Sequence, residues 1–205
     1  MMPLCKGPGP SSRSRCNQEP RRQVRLMIEG TESVHLVHGP GSDAEALCLQ
    51  ISRGYLESDR VVAWIGDLAP ALARPIIGSL GEASLENLRI LDRDVKGIKG
   101  FLPESDGLIV IIGWCPPIGR ARKSELTWLE TILNVSRCRV IATSLGNQDA
   151  SGGGDRMTAR SRAKLEGMGL STWFLSKDQS SNQRILEGPD SNTNLTRSES
   201  GFIRS

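Results

Sequence analysis

From about residue 26 onward, short runs of Val, Ile and Leu alternate with longer segments whose apolar residues recur at helical spacing. Five runs predict strands: Val34–His38, Val61–Gly66, Leu88–Asp92, Leu108–Gly113 and Arg139–Leu145. Each is bounded by Gly, Pro or charged residues, and each is too continuously apolar for a half-solvated strand. Strands apolar on both faces belong to a parallel sheet covered by helices on both sides. Two helices are predicted. Asp43–Arg53 gathers Leu47, Cys48 and Ile51 on one face, and Ser124–Val135 carries Leu126, Leu129, Ile132 and Leu133 as an apolar stripe. After Asp67, Pro75 is expected to break or kink any helix. Past Gly169, "STWFLSKD", "QRILEG" and "GFIRS" read as short antiparallel edge strands. The predicted class is α/β, a three-layer core with a mainly parallel sheet and a C-terminal antiparallel edge.

Residues 1–25 break this pattern. They are rich in Pro, Gly, Ser and Arg, and they hold Lys6, Arg13, Arg15, Arg21, Arg22 and Arg25 against Glu19 alone. A segment that buries so little apolar surface does not offset its ordering entropy, so a disordered basic tail is expected ahead of a core domain over residues 26–205. Such a tail attracts polyanions without reading sequence.

Composition narrows the class without changing it. Hydrophobic residues make up 38% and charged residues 24% of 205, the balance of an ordinary soluble domain. No apolar run approaches the roughly 20 residues of a membrane helix, and the N-terminus has no continuous apolar signal core. Five cysteines are an odd number and share no close CxxC spacing, which favours reduced thiols and a cytoplasmic setting over a disulfide framework. His35 and His38, three apart in a predicted strand, point to opposite faces and cannot readily share a metal. Nor do they suggest a catalytic triad. Cys115 has no base or helix N-terminus in view to activate it.

The candidate chemistry lies at "HGPGSDAEA", where a strand turns through glycines into a helix. This is the outline of a phosphate-binding loop beginning at Gly39, with Gly41 inside it. The second motif glycine falls on Ala44, the phosphate-neutralising lysine on Glu45 and the magnesium-binding hydroxyl on Ala46. Glu45 repels a triphosphate. The spacing of Ser42 and Glu45 fits a capping box instead, in which the two side chains satisfy the helix donors a phosphate would otherwise use.

The order of parts is strand, glycine loop and helix, then "RVVAWIGD", "DGLIVIIGW", "CRVIATSL", a basic glycine-rich loop and a terminal meander. Over Leu26–Ser205 this resembles the ATPase core of the RecA/RadA recombinase family, and within it the small archaeal paralogues of the RadB type. The resemblance implies a RecA-like fold with a vestigial nucleotide site at Gly39, Gly41, Ser42 and Glu45. It also implies that the metal-holding aspartate belongs near Ile112–Gly113, where no carboxylate stands. Asp67 after "VVAWIG" then reads as a cap. With lysine and aspartate both missing, no ATP hydrolysis and no cofactor are expected.

The family's DNA-contacting loops follow the fourth and fifth strands. After "IATSLGNQD" the chain offers a flexible Ser151–Gly154 and a basic segment with Arg156, Arg160 and Lys164 at i, i+4 and i+8, and Arg162 nearby. As a helix face these make a cationic stripe suited to single- or double-stranded DNA. Trp173 and Phe174 read as core, and Trp114 as a loop-packing or partner-contact residue. The function implied is a non-catalytic accessory factor in DNA recombination and repair, partnered by a recombinase or another RecA-like paralogue. Two other readings stand beside it. One is an interaction module on the same scaffold, as in SulA or the Elongator accessory subunits; the other is a divergent ATP-binding protein.

Overall fold

A computed structural model describes residues 32–147, 157–178 and 182–205. The basic tail over residues 1–25 and Arg156 lie outside the described residues. The strands are β1 (Ser33–His38), β2 (Val62–Ile65), β3 (Leu88–Leu91), β4 (Leu108–Ile111), β5 (Arg139–Leu145), β6 (Leu170–Lys177), β7 (Gln183–Glu187), β8 (Asn192–Ser198) and β9 (Gly201–Arg204). They form one sheet in the order β3-β2-β4-β5-β1-β6-β7-β8-β9. Pairing is parallel from β3 across to β6 and antiparallel from β6 to β9. That is the mainly parallel sheet with an antiparallel edge that the hydrophobic pattern predicts.

The helices are α1 (Asp43–Leu56), α2 (Pro70–Ile77), α3 (Glu82–Glu86), α4 (Lys123–Val135) and α5 (Arg162–Gly167), with a 3-10 turn at Ile98–Phe101. Alternation along the strands divides the core in two. Val34, Leu36, Trp64, Val110 and Ile141 face one side, where Leu47, Leu49 and Leu56 of α1 and Ile76 of α2 are fully buried. Each such side chain contributes roughly 1.5–3 kcal/mol relative to an exposed position. Ile65, Ile109, Ile111, Val140 and Ala142 face the other side, against Leu129 and Ile132 of α4 and Leu165 of α5.

Several elements depart from expectation, the short helix α3 among them, which no predicted segment matches. Helix α2 runs through Pro75, because a prolyl ring inside eight residues removes one intrahelical bond while Ala73, Ile76 and Ile77 are buried against the core. Strand β8 has no counterpart among the predicted segments. Only Thr193 and Leu195 of "NTNLTRS" are buried, so its apolar signal is too thin to read. Helix α1 extends one turn past Arg53 to bury Leu56.

At the far end of the sheet, β9 is held by a side chain in place of a strand. The Gln50 amide of α1 donates to Phe202 O at 2.9 Å and accepts from Phe202 N at 2.6 Å. Gly201 is required beside it. Its φ is +124°, and a Cβ there would stand 2.5 Å from the Gln50 oxygen.

Candidate functional site

Ligands of open α/β sheets bind at the carboxyl ends of the strands. Three segments meet at that end here: the loop from β1 into α1, the loop after β4, and the end of β5. They are tied together by backbone bonds, Gly146 N to His38 O at 2.9 Å and Trp114 N to Thr143 O at 3.0 Å.

The β1–α1 loop turns through Gly41 into the helix and carries acids in the first turn. Gly41 takes φ +109°, a conformation side chains rarely adopt. Helix α1 then begins at Asp43 with Ser42 as N-cap, and Ala46 N donates to Ser42 O at 3.0 Å. The expected capping box does not form. Ser42 sits at φ −97°, ψ 13°, outside the extended region from which a serine hydroxyl reaches the N2 or N3 amide, and it makes no side-chain cap bond.

The first turn is anchored by Asp43 instead. Its carboxylate takes the Arg184 Nε of β7 at 2.5 Å and faces the Arg197 Nε of β8 at 3.4 Å. Arg184 is itself 7% exposed, so this ion pair is largely withdrawn from water. Glu45, at the lysine position of the motif, is half-buried, and burial raises its carboxyl pKa above the usual range. Two acids in the first turn suit the positive end of the helix dipole. The same acids oppose a polyphosphate, and the two nearby arginines already share Asp43.

The end of β4 carries no acid. Ile112 and Gly113 follow the strand, with Ile112 N bonded to Ile65 O at 2.9 Å and Gly113 N to Thr143 Oγ1 at 2.9 Å. Asp67 does not cap α2, which opens at Ala69 without a side-chain bond; it lends its carbonyl to the Trp64 indole at 3.3 Å. Among the described residues no group of three or more His, Cys, Asp or Glu could hold a metal. His35 is buried, bonds Ser144 Oγ through Nε2 at 2.8 Å and meets Trp114 edge-on at 5.9 Å. Desolvation lowers its pKa to about 4, which keeps it neutral. Its partner ring Trp114 is fully buried, a packing residue of the loop. Burial pushes the Cys115 thiol up despite Arg160 beside it, the reverse of an activated nucleophile.

The predicted cationic stripe does not form as one helix face. Ser161 takes φ 53°, the left-handed region, and α5 begins only at Arg162. Ahead of it the chain is extended, Asn147 and Thr158 exchanging backbone bonds at 3.1 and 3.0 Å. Arg160 is therefore turned inward. It is 7% exposed, and its Nε donates to Asn147 Oδ1 at 3.0 Å while its two terminal nitrogens donate to Pro116 O and Pro117 O. Arg162 and Lys164 remain exposed, Arg162 paired with Glu166 at 2.7 Å. A second clamp came with no sequence signal: Arg93 donates to Trp114 O at 2.6 Å and lies 4.8 Å from the Trp128 ring centre. Trp173 and Phe174 are half-buried, Trp173 lying against the α1-side core.

Taken together, the strand order, the glycine turn into α1 and the two loops at the carboxyl ends define a RecA-type α/β fold. Among solved structures the chain is similar to the RadB recombinase, at 18% identity over 84% of this chain and 91% of that one, with a TM-score of 0.61. It is also similar to a KaiC-like protein from the hyperthermophilic archaeon Pyrococcus horikoshii, at 15% identity over 85% of this chain and 89% of that one, with a TM-score of 0.59. No family model and no curated protein sequence matches the chain, so the likeness is one of fold.

Proposed function

We propose that this chain is a non-catalytic RecA-fold accessory factor in DNA recombination and repair, acting in the cytoplasm beside a recombinase or RecA-like paralogue. The observation that carries the reading is the first turn of α1, where Glu45 stands in place of the phosphate lysine and Asp43 occupies Arg184 and Arg197. An ATPase of this design needs a cation, a metal-binding hydroxyl and a metal-holding acid there. Ala46, Ile112 and Gly113 provide none of these. The similarity in fold to the RadB recombinase supports the setting.

DNA contact in this reading is weak and rests on Arg162 and Lys164 of α5, with Arg156 and the basic tail as further cations. Arg160 is assigned to the fold. Fluorescence anisotropy with a single-stranded oligonucleotide at rising salt tests it: R162E/K164E should flatten the salt slope by roughly 1.4, two phosphates' worth. Absence of binding at low salt would remove DNA from the function. Steady phosphate release from ATP in the presence of DNA would remove the non-catalytic part. The inward guanidinium of Arg160 favours a second reading, an interaction module on this fold with no DNA role, which co-purification with a partner outside recombination would support.

A further inference from the structure

We draw no further inference here: the strongest candidate, the surface patch on the sheet face of β7, β8 and β9 where Ile185 and Thr196 are half-buried and Ile203 is 44% exposed, carries nothing because nothing in the structure shows what covers it.

Discussion

Replacing Arg160 with lysine separates two roles that a cation in this segment could have. As a DNA contact, lysine keeps the charge and should preserve the salt slope of binding. As a clamp, it cannot span Asn147, Pro116 and Pro117 at once, because one ammonium does not reproduce a planar fork. Bonds to a charged donor contribute about 1.5–3 kcal/mol each. Three of them set an upper limit that solvent lowers: Pro117 is exposed and Pro116 half-buried, so both carbonyls regain water. With lysine retaining one bond, a net loss of about 2–3 kcal/mol remains. For a domain of this size that lowers Tm by roughly 4–12 °C. Thermal unfolding followed by circular dichroism measures it, and hydrogen exchange should show faster opening around Trp114 and Pro117. An R160K protein with wild-type Tm and a reduced DNA salt slope would refute the clamp.

Other consequences are equally open to measurement. Glu45, its pKa raised by burial, is penalised when charged, so E45Q should stabilise the fold at neutral pH; in urea titrations the gain should fade as pH drops through the raised pKa and vanish below about 4.5. His35 is kept neutral to about pH 4, whereas the unfolded chain takes up its proton near 6.5. Native stability should thus fall between those values by roughly 3 kcal/mol, and H35Q should flatten that acid limb. G201A drives a methyl into Gln50 at φ +124° and should cost about 1–3 kcal/mol in denaturant unfolding. E45K should still release no phosphate from ATP, since Ala46 and the β4 end supply no metal ligand.

The sheet was legible because its central strands are apolar on both faces, a pattern only a covered parallel strand requires. The antiparallel edge was read in part, since β8 buries just Thr193 and Leu195. The candidate loop could be placed from the sequence. Glu45, Ala46 and Gly113 could be laid on the motif by counting alone. What holds the loop could not, because Asp43 meets Arg184 across 141 positions and no spacing rule reaches that far. The basic stripe misled for a local reason: a periodic set of cations reads as a helix face until a residue such as Ser161 enters the left-handed region and ends the period.

The Gln50 amide on β9 bears on how copies of this molecule can meet. It fills the outward backbone groups of Phe202, so the β9 margin of the sheet is blocked at that residue by a side chain. A strand arriving at β9 would meet Phe202 already bonded on both backbone groups, so pairing there has first to displace the Gln50 amide.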